Sequence, residues 1–159
     1  MDLAEFGHID YLSSVDQLGF APDGSVDLLY ASHVLEHFGR HEILKVLREW
    51  YRVLRFEGVL RVAVPDFGAV AQRYVRSNQI EELVGLVCGG QRDARDYHKM
   101  IFDERSLSGL LRDIGFRSVH RYDWRSTEHV GVDDYSQAYL PHMDKVCGQL
   151  MSLNLEAIK

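Results

Sequence analysis

The apolar positions of this chain change their period along its length, and the changes mark its elements. Residues 26–32, VDLLYAS, and 59–64, VLRVAV, are short, dense apolar runs bounded by turn residues, the pattern of strands covered on both faces. Between them Ile43, Leu47, Trp50 and Leu54 recur at helical spacing, with Leu44, Val46, Tyr51 and Val53 widening the stripe. Glu42 near the start of that stripe and Arg52 and Arg55 near its end suit the helix dipole, and Gly58 predicts a left-handed stop. Strand, loop, helix, turn and strand in this order predict a crossover unit of a parallel sheet, so 25–65 is the stretch around which the chain is organised.

The flanks are weaker. Residues 8–13, HIDYLS, alternate enough for a short strand, and Pro22-Asp23-Gly24 has the chemistry of a turn. Helical patterns cover 68–77 and 80–88 before the Gly89-Gly90 break, and a polar connection follows. Residues 103–114 predict an amphipathic helix with Leu107, Leu110, Leu111 and Ile114 inward and Gly115 as its stop. A strand is expected over 116–122, then a long loop with room for a short helix to about 145, then a final strand in LMSLNLEAIK. That loop carries Tyr122, Trp124, His129, Tyr135, Tyr139 and His142, which suits an acceptor-binding lid or a partner-binding surface. No repeat or linker divides the 159 residues, so one domain over 1–159 is expected.

Composition narrows the partners. The net charge is −6 and the 18 basic residues are scattered, which argues against binding a nucleic-acid duplex. No apolar run has the roughly 18 residues of a membrane span, and MDLAEFGHID lacks the charged and apolar regions of a signal peptide, so a cytoplasmic location is expected. Cys88 and Cys147 have no paired spacing and read as reduced thiols.

The chemistry concentrates after the first strong strand. His33-Val34-Leu35-Glu36-His37 matches His-x-x-Glu-His, in which two imidazoles one helical turn apart bind zinc and the Glu activates water. Because His33 directly follows a strand, the two imidazoles need not share a helical face. None of Glu81, Glu82 and Asp66 stands out as a further ligand. The expectation is therefore a loop and no metal, with a zinc hydrolase as the most distant reading. Glu36 and His37 otherwise cap the helix or bond nearby backbone, and Asp66 either caps the next helix or orients a substrate.

The run PDGSVDLLYASHVLEHF, the helix after it, FEGVLRVAVPD and the later LLRDIGF followed by a strand resemble the S-adenosylmethionine-dependent class I methyltransferases. The resemblance implies an α/β, Rossmann-like, mostly parallel sheet with one antiparallel strand near the C-terminal edge, in the order 3-2-1-4-5-7-6. HIDYLS, VDLLYAS, VLRVAV, FRSVHRY and LMSLNLEAI then resemble strands 3, 4, 5, 6 and 7. Strand 1, its helix and the Gly-rich cofactor loop have no counterpart, so the resemblance reads as a fold truncated at its N-terminus.

On that template the cofactor S-adenosylmethionine would meet Asp2, Ser14, Asp16, Ala31, Ser32 and His33. A small-molecule acceptor would meet His37, Asp66, Tyr97 and His98. The template also leaves the edge of 26–32 without its usual neighbour. An exposed apolar edge is an aggregation hazard, so the chain's own N-terminal strand, or a homodimer, other oligomer or partner chain, is expected to cover it. The competing function is a non-catalytic binding or assembly module that keeps the C-terminal part of the fold.

Overall fold

The computed structural model describes residues 10–159. Four strands form the main sheet: β1 (Val26–Ser32), β2 (Leu54–Pro65), β3 (Arg117–Arg121) and β6 (Ser152–Ile158). Their spatial order is β1-β2-β6-β3, with β1 parallel to β2 and β6 antiparallel to both its neighbours. In the family's numbering this is 4-5-7-6, with the single antiparallel strand where the resemblance puts it. The helices are α1 (Ile43–Val53), α2 (Phe67–Ser77), α3 (Val84–Cys88) and α4 (Glu104–Ile114), and a two-stranded ladder pairs β4 (Tyr139–Leu140) with β5 (Gln149–Leu150).

Alternation along the strands makes two unlike faces. Leu29, Ala31, Leu60, Val62, Val64, Leu153, Leu155 and Ala157 share one core with Ile43, Val46, Leu47 and Trp50 of α1 and Leu107 and Leu111 of α4. Each such side chain taken fully out of water contributes about 1.5–3 kcal/mol. The opposite face carries Tyr30, Ser32, Arg61, Ser152, Asn154 and Glu156, and the segment 122–140 lies over it: Asn154 Nδ2 donates to Ser136 O at 2.9 Å and Tyr30 Oη to Asp134 at 2.6 Å. One face of the sheet is thus sealed by apolar packing and the other by hydrogen bonds.

Several expectations are corrected. Of the strand expected over 8–13, the described residues show a single β-bridge at Leu12, and 8–9 lie outside the described residues. The segment after them packs on α1, where Trp50 Nε1 donates to Val15 O at 2.8 Å and Arg52 reaches Leu18 O and Ala21 O. The helix expected over 80–88 narrows to α3, with a turn before it. Gly58 is no left-handed stop, since the positive φ of 60° belongs to Glu57. Its role is close approach, because a Cβ there would sit 2.8 Å from Arg55 O and 3.1 Å from Val26 O. The long loop is ordered by two 3-10 turns (Trp124–Ser126, Tyr135–Gln137) and the β4–β5 ladder. Among the described residues, β1 has no partner on its outer edge.

Candidate functional site

Ser32 ends β1, and the chain then turns sharply. His33 takes a positive φ of 51°, a strained conformation for a side-chain-bearing residue, and its N–H donates to Ala63 O at 2.8 Å on the end of β2. Leu35 then drops into the core and fixes the 3-10 turn Leu35–His37. The turn drives Glu36 inward as well, to 0% exposure.

Glu36 lies among three imidazoles. His33 Nδ1 is 3.2 Å from Glu36 Oε1 and His98 Nε2 is 3.9 Å from the same atom. Neither carboxylate oxygen receives an aligned hydrogen bond from the described residues. His37 packs edge-on against His98, ring centroids 4.9 Å apart. The rings are anchored from behind: His37 Nδ1 bonds Tyr97 O at 3.2 Å, His98 Nδ1 bonds Leu86 O at 3.0 Å, and His33 Nε2 bonds Ser152 Oγ at 3.2 Å. A carbonyl only accepts, so Nδ1 carries the proton toward it in both His37 and His98, and the Nε2 of His98 is the nitrogen that faces Glu36. Burial pushes the His98 imidazolium down against the pull of Glu36.

His98 reaches this place through a tight loop. Gly89 adopts φ 79°, and a Cβ there would lie 2.3 Å from Asp96 O, so only Gly lets the chain fold back. Its return is pinned by the His98 N–H, which donates to Cys88 O at 3.1 Å, while Lys99 N and Met100 N donate to Glu36 O. The carbonyl of Glu36 is therefore doubly used and its carboxylate is not.

Two cavities flank the His33–His37 turn. One, of about 400 Å³, lies between Ser13, Ser14 and Val15 and the side of the turn bearing His33, Val34 and Phe38. The other, of about 470 Å³, is reached by His33, His37 and His98 and walled by Leu86, Tyr135, Tyr139, His142 and Met151. The aromatic segment thus supplies a wall. Trp124 is its buried anchor, donating from Nε1 to Tyr139 Oη at 3.3 Å, and Tyr30 stacks on His129 at 4.2 Å. Asp134 holds the wall to β1. Burial alone would raise its carboxyl, but hydrogen bonds from Ser136 and Tyr30 bring it below the usual range.

The expected site residues separate accordingly. His33, His37 and His98 come together, and Ser14 lines the smaller cavity. Asp16 is spent on Lys45 at 2.8 Å and on the Ser14 hydroxyl, which hold its carboxyl low. Ala31 faces the apolar core at 7% exposure, which the alternation of β1 dictates, so it touches neither cavity. Ser32 turns to the opposite face, its hydroxyl buried and without a partner among the described residues. Tyr97 contributes its carbonyl to His37 while its ring is exposed. Asp66 caps α2 through Gly68 N and Ala69 N and pairs with Arg121 at 2.9 Å, so it is a structural joint and not a cavity residue. Asp2 lies outside the described residues. Sequence reasoning missed the isolation of Glu36, whose one signal was an acidic residue next to a Leu in the turn after a strand.

Comparison with known proteins fits this architecture. A family model described as a methyltransferase domain matches residues 4–62. A SAM-dependent methyltransferase from Archaeoglobus fulgidus superposes with a TM-score of 0.54 at 17% identity, covering 92% of this chain and 66% of that one. One from Thermotoga maritima gives 0.56 at 16% identity, covering 92% and 62%. The Burkholderia thailandensis 1,6-didemethyltoxoflavin-N1-methyltransferase, solved with 1,6-didemethyltoxoflavin and S-adenosylhomocysteine, gives 0.53 at 16% identity, covering 94% and 49%. No curated protein matches the chain by sequence. The chain spans between about half and two thirds of the length of these three structures. It has the fold of the S-adenosylmethionine-dependent class I methyltransferases, and over residues 4–62 it matches the sequence model of a methyltransferase domain.

Proposed function

We propose that this chain takes part in S-adenosylmethionine-dependent methyl transfer to a small-molecule acceptor in the cytoplasm, using the carboxyl end of β1 as the divide between cofactor and acceptor. The observation that carries this reading is the position of the His33–His37 turn between two cavities at the edge where open α/β sheets bind ligands. The cavity of about 400 Å³ is within the usual size of a cofactor pocket, and Ser14, His33 and Val34 at its rim suit one flank of the cofactor. When bound, the cofactor supplies an electrophilic methyl. The residues of this chain contribute placement: His33 is fixed by Ser152, His37 by Tyr97, and the wall from Tyr135 to His142 excludes water from the acceptor side. In-line placement of the reacting atoms accounts for much of the acceleration such a reaction needs, so no covalent nucleophile is required.

The competing reading, a binding or assembly module, is favoured by the outer edge of β1, which has no partner among the described residues and so invites a strand from another chain. One titration separates the two. Calorimetry with S-adenosylhomocysteine is expected to give saturable heat in the micromolar-to-millimolar range, and Val34→Trp, which fills the smaller cavity, is expected to abolish it. Absence of heat with the unaltered chain would eliminate methyl transfer by this chain alone. Light scattering then reports whether a second copy covers β1.

A further inference from the structure

The cluster at Glu36 has a property that the fold does not require. A fully buried carboxylate normally collects hydrogen bonds or a fixed cation, because leaving it bare costs several kcal/mol. Glu36 is 0% exposed, its two oxygens receive no aligned hydrogen bond from the described residues, and no Lys or Arg pairs with it. One carboxylate oxygen and one nitrogen from each of His37 and His98 lie within 4.8 Å of one another. Both imidazoles bind a backbone carbonyl through Nδ1, the arrangement that orients metal-ligating histidines and leaves Nε2 free to ligate, and in His98 that nitrogen faces Glu36.

We infer that Glu36, His37 and His98 form a binding site for a divalent first-row transition metal ion at the rim of the larger cavity. Two imidazoles and a carboxylate suit zinc, cobalt or manganese, whereas magnesium and calcium prefer all-oxygen shells. Metal–ligand bonds of about 2.0–2.2 Å put ligand atoms about 3.4 Å apart in a tetrahedral site, so the cluster needs to contract by roughly an ångström. His33, 3.2 Å from Glu36 Oε1 and tied to Ser152, is a positioning residue that holds the carboxylate in place. Three protein ligands leave at least one position open, and His37 and His98 both face the larger cavity. If the methyl-transfer reading holds, that position is suited to an oxygen of the acceptor, whose proton a bound metal makes easier to lose. This last step rests on that reading; the metal site does not.

The test uses the whole chain, stripped with a chelator and titrated with zinc, cobalt(II) and magnesium salts by calorimetry, with cobalt absorption as a second readout. One equivalent of zinc or cobalt is expected to bind at micromolar concentration or tighter, with visible bands of a nitrogen- and oxygen-ligated low-coordinate ion, and magnesium to bind at least 100-fold more weakly. Glu36→Gln and His98→Ala should each weaken cobalt binding by 10-fold to 100-fold or more and change its spectrum. His41→Ala, on an exposed residue outside the cluster, should change neither. Circular dichroism of each variant distinguishes lost ligation from lost folding. If Glu36→Gln is folded and binds cobalt as the unaltered chain does, or if no stoichiometric ion binds, the proposal is overturned. Because no cofactor enters this titration, its result is independent of the S-adenosylhomocysteine experiment.

Discussion

Asp66 and Glu36 occupy matching places in this fold, each an acidic residue just past the carboxyl end of a parallel strand, and they have opposite surroundings. Asp66, 6% exposed, accepts from Gly68 N and Ala69 N and pairs with Arg121, which in turn reaches Glu104. Glu36, 0% exposed, meets only imidazoles and receives no aligned bond among the described residues. At the end of β2 the chain uses its carboxylate to join sheet, α2 and β3. At the end of β1 it buries one that no Lys or Arg among the described residues balances. The contrast separates a residue that holds the edge together from one that leaves the edge able to bind something.

The largest expected effect is at the joint. Asp66→Ala removes the α2 cap and the ion pair to Arg121, which keeps its pair with Glu104. Cap loss costs about 0.5–2 kcal/mol, and the lost charged hydrogen bond brings the total to about 2–3 kcal/mol by urea denaturation. Asp66→Asn, which can still cap, should recover about half of this. A loss below about 0.5 kcal/mol for Asp66→Ala would remove the distinction between the two carboxylates. Cobalt binding should survive in folded Asp66→Ala, since Asp66 contacts none of the three proposed ligands.

The reciprocal change is smaller in stability and opposite in sign. In metal-free protein, Glu36→Gln is expected to be neutral or stabilising by up to about 1 kcal/mol, because it removes a buried uncompensated charge while the peptide contacts to Lys99 and Met100 remain. A histidine can release its proton near neutrality, so losing the carboxylate strands no obligate cation. A destabilisation above about 1 kcal/mol would mean that Glu36 is a second joint.

How much of this was visible in the sequence follows from which forces act locally. Alternation in VLRVAV and LMSLNLEAIK and the α1 stripe Ile43, Leu47 and Trp50 marked the strands, the helix and the apolar face, because burial leaves its period in the chain. The 4-5-7-6 order came from the resemblance and agrees with the sheet observed. The strand expected over 8–13 shrinks, within the described residues, to a single bridge at Leu12, because Tyr11 and Leu12, apolar by type, are exposed and Tyr11 stacks on Phe20, while the backbone beyond them is held by Trp50 and Arg52, more than thirty residues away. At the site, His33 and His37 stood out by spacing. That His98 would join them depends on the Gly89 fold-back, a contact between backbone atoms that no periodicity encodes. Ala31 takes its place from the family's template, and the pleat of β1 turns its side chain into the core.

The smallest expected effect concerns the wall that closes the larger cavity, and it asks which of the two carboxylates Asp134 resembles. Asp134 accepts from Tyr30 Oη at 2.6 Å and from Ser136 N at 2.8 Å, so by its contacts it is a joint like Asp66. Its carboxyl is held below the usual value of about 3.9, the net of burial raising it and hydrogen bonds from Ser136 and Tyr30 lowering it. An acid whose folded pKa is depressed contributes stability that is present above its unfolded pKa and lost as pH falls through the folded one. Asp134→Asn keeps the short 3-10 cap but weakens the bond from Tyr30, so at pH 7 it should cost about 0.5–1 kcal/mol. The difference between Asp134→Asn and the unaltered chain should shrink as pH falls below about 4, where the unaltered carboxyl also takes up a proton. Urea denaturation of both proteins across pH 3–7 measures it. A constant difference over that range would show that the wall is held by packing of Trp124 and Tyr139 and not by the charge of Asp134, leaving Asp66 as the charged joint of this edge.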